Sequence, residues 1–110
     1  MDRNFNAMMD FDLDSGEFAS QLAATDDAVL LDVRTPAEFE QARIPGATNI
    51  DIAGPSFPDR IEELDRKKAY FVYCRSGNRS TTACQFMSQL GFDRVYNLAN
   101  GIIDWDGEVE

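Results

Sequence analysis

Apolar positions recur along the chain in two periods, and the two periods alternate. The strongest strand signal is Ala69-Tyr-Phe-Val-Tyr73, dense in β-branched and aromatic side chains. Val29-Leu-Leu31 is a short continuous apolar run of the kind buried on both faces of a sheet. Met9-Asp-Phe-Asp-Leu13 alternates apolar with acidic residues, as a half-buried edge strand does. The stretch from Ala47 to Ile52 and the pair Val95-Tyr96 supply two further short strands. Between these runs the spacing becomes helical. Asp14 and Glu17 stand at capping-box spacing, and Phe18 and Leu22 follow on one face of a helix that fades near Ala24. Thr35, Pro36 and Glu38 read as N-cap, first helical residue and box-closing carboxylate of a second helix, which Ile44-Pro-Gly46 must break. Phe57, Ile61 and Leu64 mark a third helix, with Lys67-Lys68 suited to its negative end. Ala83, Phe86, Met87 and Leu90 mark a fourth, with Gly91 as its natural stop. Gly101 to Trp105 reads as a packed C-terminal turn.

Strands alternating with helices across such short connections predict an α/β fold, a parallel sheet with helices on both faces. Sites in these sheets lie beyond the carboxyl ends of the strands, where loops lead into helix N-termini. Two loops are favoured on that ground, Asp32-Val-Arg-Thr35 and Cys74 to Arg79. A length of 110 residues with 44% apolar content fits one domain with a real core. Residues 1–8 are expected to form an N-terminal extension, 9–106 the domain and 107–110 a C-terminal tail. No apolar run is long enough to span a membrane, and the first residues lack the charged-then-apolar pattern of a secretory signal. A soluble cytoplasmic protein, monomeric, is the expectation.

Charge narrows the partners. The net charge is −10, and it is uneven: residues 1–65 hold 15 acids and 4 bases, residues 66–110 hold 5 acids and 6 bases. An acidic surface repels nucleic acid and anionic lipid, so neither is an expected partner. Any anion site must be a local exception. Histidine is absent, which excludes Cys–His and Ser–His–Asp catalysis within the chain and removes the commonest metal ligand. Cys74 and Cys84 are too far apart in sequence for a C-x-x-C motif. No cofactor and no metal is expected.

Cys74 ends the best strand and opens a loop that runs into a helix. Gly77 and Asn78 tolerate positive φ, so the loop can curl its backbone N–H groups inward as a nest for an anion. The helix N-terminus adds unpaired N–H groups, and Arg75 and Arg79 add full charges. Each of these favours thiolate over thiol, and the thiolate is the nucleophile. Cys84 has no basic neighbour in sequence and lies beside an apolar stripe. A structural role is expected for it.

Tyr73-Cys-Arg-Ser-Gly-Asn-Arg-Ser80 resembles the active-site loop of the rhodanese (thiosulfate sulfurtransferase) family. Leu31-Asp-Val-Arg34 with Glu38-Phe39, then Ile44-Pro-Gly-Ala47 with Asn49-Ile50, resembles the family's first signature. Gly91-Phe92, Val95-Tyr-Asn-Leu98 and Gly101-Ile102 through Trp105 resemble its C-terminal one. Two positions depart: Arg43 stands where histidine is common in the family, and Asn100 where glycine is. The resemblance implies a single-domain, three-layer α/β/α fold with a five-stranded parallel sheet in order 3-2-4-5-1. That order brings Asp32 and Arg34 beside Cys74, either as a brace for the loop or as substrate contacts. It implies Cys74 as catalytic nucleophile, with Arg75, Ser76, Gly77, Asn78, Arg79 and Ser80 binding a small anionic sulfur donor such as thiosulfate. The acceptor would be cyanide or a thiol, a thioredoxin-like protein included.

Two other functions compete. A cysteine phosphatase or arsenate reductase would need its loop to wrap a tetrahedral oxyanion, and only four residues separate Cys74 from Arg79. A module that binds or relays persulfide for one protein partner would keep the same loop, since fold does not dictate activity.

Overall fold

The computed structural model describes residues 11–110. Five strands, β1 (Asp12–Leu13), β2 (Ala28–Asp32), β3 (Thr48–Asn49), β4 (Ala69–Tyr73) and β5 (Arg94–Leu98), form one sheet in the order β1-β5-β4-β2-β3. Every pairing is parallel. This is the expected order read from the other edge. Residues 9 and 10 of the first predicted strand, and the extension 1–8, lie outside the described residues.

All five residues of β4 are buried, as their composition demands, and the strand occupies the centre of the sheet. Side chains alternate across it. Tyr70, Val72 and Cys74 face one layer, where α3 (Phe57–Glu62) packs Phe57 and Ile61 and α4 (Asn78–Gln89) packs Ala83, Cys84 and Met87. Ala69, Phe71 and Tyr73 face the other, against Phe18 and Leu22 of α1 (Ser15–Ala24), Ile44 and Trp105. Phe18 meets Phe71 and Trp105 edge-on at ring distances of 5.4 and 5.9 Å, which locks α1 and the C-terminal turn onto the sheet.

The second helix closes the full capping box its spacing predicts, and the first closes only the N-cap half. Asp14 accepts from the Glu17 N–H, and Thr35 with Glu38 completes a reciprocal box at the start of α2 (Pro36–Gln41). The third helix is shorter than expected: it stops at Glu62, well before Lys67-Lys68. Asp65 interrupts it by accepting from the Lys67 N–H, an Asx turn that competes with helical bonding. Leu64 still reaches the core, so the apolar stripe is real although its last member lies past the helix. Residues 107–110, expected as a tail, fold back instead: Arg43 and Glu110 exchange two backbone hydrogen bonds. Among the described residues no helix is long and apolar enough to cross a membrane.

Candidate active site

β2 and β4 are neighbours whose connections leave the sheet in opposite directions, and the crevice at their carboxyl ends is where ligands collect in such folds. Asp32 sits beside Tyr73 in register, and the Val33 N–H donates to the Tyr73 carbonyl. Cys74 follows at once. Both predicted loops therefore meet at one point.

The Cys74 loop is fastened from beneath. Gly77 has φ +102° and caps α4; a Cβ there would lie 2.1 Å from the Ala99 carbonyl oxygen. Gly101, with φ +75°, would place a Cβ 2.1 Å from the Arg75 carbonyl oxygen. The N–H groups of Ile102 and Ile103 donate to the carbonyls of Cys74 and Arg75 at 2.9 and 3.1 Å. The segment after β5 is thus a template for the loop. The sequence placed Gly101 in a signature, but its contact with Arg75 follows only from tertiary structure.

The curl delivers donors to sulfur. Cys74 Sγ accepts from the Gly77 N–H at 3.1 Å, the Ser80 N–H at 3.3 Å and the Ser80 hydroxyl at 3.3 Å. The two backbone donors belong to the first turn of α4, whose N–H groups lack helical partners. The Ser80 hydroxyl also lies 3.2 Å from the Gly77 carbonyl. It holds a single proton, and a negative sulfur is the stronger claimant. Burial pushes the Cys74 thiol up, but the hydrogen bonds from Ser80, Gly77 and Ser76 outweigh it and leave the thiol below its ordinary pKa. Cys84 feels burial and the Asp12 carboxylate, with no donor to oppose them, and its pKa rises well above the ordinary range.

The charged residues are arranged differently from the simple expectation. Arg79 does not point at sulfur with a free guanidinium. It donates to both carboxylate oxygens of Glu38, at 2.9 and 3.1 Å. That bond, with the donors of Thr35, lowers the Glu38 pKa to about 2. Glu38 therefore serves both as helix cap and as counter-ion, the second role arising from a residue 41 positions away. Arg34 is buried and donates to both oxygens of Asp32, the closest contact 2.6 Å, and to the Ala42 carbonyl. Asn49 donates to the carbonyls of Asp32 and Arg34 and fixes their backbone. Asp32 and Arg34 thus form a buried ion pair tied to Ala42 and Asn49, and Arg34 also lines the cavity beside the Cys74 loop. Arg75 and Asn78 are exposed at the rim, as is Ser76. Among the described residues the Arg75 guanidinium makes no hydrogen bond or ion pair, and no cluster of acids and cysteines could hold a metal.

Beside the loop opens a cavity of about 440 Å³ between Arg34, Glu38 and Gln41 on one side and Arg75, Ile102 and Ile103 on the other. Its mixed lining and its place at the strand ends fit a small ligand.

The Rhodanese-like domain family matches residues 15–108. The chain belongs to that family. It is 42% identical to a sulfurtransferase of Allochromatium vinosum over 94 residues, 86% of either chain. It is 38% identical over 78 residues to the thiosulfate sulfurtransferase GlpE of Pseudomonas syringae, covering 71% of this chain and 72% of that one. A rhodanese-related protein from Thermoplasma volcanium superposes with a TM-score of 0.77 at 30% identity, over 90% of this chain and 96% of the other. The fold and the family are those implied by the signatures, and sulfurtransferase activity is the function these relatives support. Of the two departures from the family pattern, Arg43 stacks on Phe39 and pairs with Glu110, while Asn100 lies exposed in the turn before Gly101.

Proposed function

We propose that the protein moves a sulfane sulfur from thiosulfate or a persulfide to cyanide or a thiol through a persulfide on Cys74. The observation that carries this reading is the set of three donors converging on Cys74 Sγ in a chain that has no histidine. A thiol ionised by its surroundings needs no proton abstraction. The thiolate attacks the outer sulfur of thiosulfate, the S–S bond breaks, and sulfite departs with the electron pair. The new terminal sulfur carries the negative charge, and the loop N–H groups that stabilised the thiolate stand ready for it. A nucleophile then attacks that sulfur, and the Cys74 thiolate leaves. Neither half-reaction calls for a metal or a cofactor. We place the reaction in the cytoplasm, in a monomer, with a small or protein-borne thiol as acceptor and without nucleic acid or membrane.

The arrangement of Arg79 argues against phosphoryl transfer. A phosphatase would aim that guanidinium at the phosphoryl oxygens, whereas here its two terminal nitrogens both donate to Glu38. The test is intact mass spectrometry after thiosulfate treatment. Addition of one sulfur atom, confined to Cys74 and removed by cyanide, is the expected result. Hydrolysis of p-nitrophenyl phosphate with no sulfur on Cys74 would overturn the assignment. A domain that only relays persulfide would take up sulfur yet turn over poorly with small acceptors.

A further inference from the structure

The loop carries two arginines whose charges are not equally available. Arg79 is neutralised by Glu38, and Glu38 is itself fixed by Thr35 through the capping box. Arg75 is exposed and faces the cavity with its charge intact. The same cavity has the Glu38 carboxylate in its wall, ionised throughout the neutral range. A donor in this cavity therefore meets one unpaired cation, Arg75, beside two closed ion pairs, Glu38 with Arg79 and Arg34 with Asp32. The remaining wall includes Ala42, Ile102 and Ile103, and Ile103 is 65% exposed. Apolar surface of this kind gains nothing from an inorganic ion but is stabilised by covering with an organic group. A volume of about 440 Å³ falls in the range of pockets that hold organic ligands, far more than thiosulfate fills.

We propose that the cavity selects a monoanionic organic sulfur donor, a thiosulfonate R–SO2–S⁻ or a persulfide R–S–S⁻, over dianionic thiosulfate, and that Glu38 is the specificity-determining residue. The R group lies on Ala42, Ile102 and Ile103, and the anionic end is drawn by Arg75. This rests on the sulfur-transfer reading above and names its preferred donor. With a thiosulfonate, the Cys74 thiolate bonds to the terminal sulfur and the S–S bond breaks. The sulfinate R–SO2⁻ leaves with the electron pair, and one negative charge remains on the Cys74 persulfide. No proton and no redox partner is needed.

Glu38→Gln separates charge from structure, because glutamine can still close a capping box. It removes the wall carboxylate and frees Arg79, and both changes favour a second negative charge on the donor. Steady-state kinetics on the full chain would use thiosulfate, methanethiosulfonate and benzenethiosulfonate with cyanide as acceptor. The intrinsic reactivities of these donors differ, so the change in their ratio between variants decides the matter. Glu38→Gln should raise kcat/KM for thiosulfate about fivefold relative to methanethiosulfonate, mainly through KM, with a steeper loss at high salt. Ile103→Ser should lower kcat/KM for benzenethiosulfonate about threefold and for methanethiosulfonate by clearly less, because the smaller group covers less of that surface. An unchanged thiosulfate-to-methanethiosulfonate ratio in Glu38→Gln overturns the role of Glu38. Equal loss for both thiosulfonates in Ile103→Ser overturns the organic subsite. If folded wild-type protein gains no sulfur on Cys74 from any of the three, the transfer reading itself falls, and the selectivity with it.

Discussion

Cys74 and Cys84 lie in the same apolar layer of the same sheet, 1% and 0% exposed, yet their thiols are shifted in opposite directions. Burial is common to both and raises both. The difference is where each stands relative to α4. Cys74 precedes the helix, where first-turn N–H groups have no carbonyl to bond and turn to sulfur instead. Cys84 lies inside the helix, where each N–H is committed to the preceding turn and none can serve a thiolate. A buried cysteine becomes a nucleophile through its donors, and the end of a helix supplies them where its middle cannot.

The largest effect that tests this contrast is loss of the sulfur itself. Cys74→Ser should reduce thiocyanate formation from thiosulfate and cyanide to background, while Cys84→Ser should stay within about twofold of wild type. Equal inactivation of both, with circular dichroism unchanged, would show the cysteines acting as a pair. Gly77→Ala should come next. Its Cβ would meet the Ala99 carbonyl at a backbone angle that L-residues avoid, so the loop must shift by a substantial fraction of an ångström or more. Displacements near 1 Å cost about a hundredfold in rate, and kcat/KM should fall on that order with far less change in melting temperature than in activity.

A smaller effect belongs to Ser80. Ser80→Ala removes one of the three donors to Cys74 Sγ and leaves the two backbone donors in place. The thiol pKa should rise, and iodoacetamide alkylation of Cys74 near neutral pH should be slower than in wild type. At a pH high enough to ionise both thiols the two proteins should react at similar rates. A wild-type alkylation midpoint at or above that of an ordinary exposed thiol would break the contrast with Cys84 altogether.

Local chemistry was legible in the sequence, and long-range charge pairing was not. Thr35, Pro36 and Glu38 announced α2 because a capping box is complete within four residues. The Cys74 loop was legible for the same reason, its glycine and the following helix being contiguous. What Glu38 does for Arg79 depends on β2 and β4 lying side by side, and no local pattern carries that information. The template formed by Ala99 and Gly101 is hidden in the same way, since its partners Gly77 and Arg75 lie more than twenty residues earlier. The early end of α3 shows the opposite failure. Lys67-Lys68 suit a helix terminus by charge, but Asp65 forms a turn first, and a side chain that bonds its own backbone overrides a weak dipole preference.

The smallest effect follows from the opposite signs of the two shifts. Cys74 has a folded pKa below its unfolded value of 9.0, so it stabilises the fold fully above that value and loses this contribution as pH falls through the folded pKa. Cys84 has a folded pKa raised above 9.0 by burial and Asp12; its stabilisation is complete below 9.0 and is lost as pH rises, because the unfolded chain ionises and the folded one resists. Between pH 8 and 10 Cys84 should therefore cost the wild type about 1 kcal/mol. Cys84→Ala should be less stable than wild type by about 1–2 kcal/mol at pH 7, from lost packing at a fully buried site. By pH 10 that deficit should shrink by about 1 kcal/mol. Taking the difference between the two proteins cancels Tyr70 and Tyr73, whose pKa values burial also raises. Urea denaturation of both at pH 7, 8, 9 and 10 measures it. A deficit that stays constant across the range would mean that the Cys84 thiol ionises as readily folded as unfolded, and that the middle of α4 finds donors for sulfur after all.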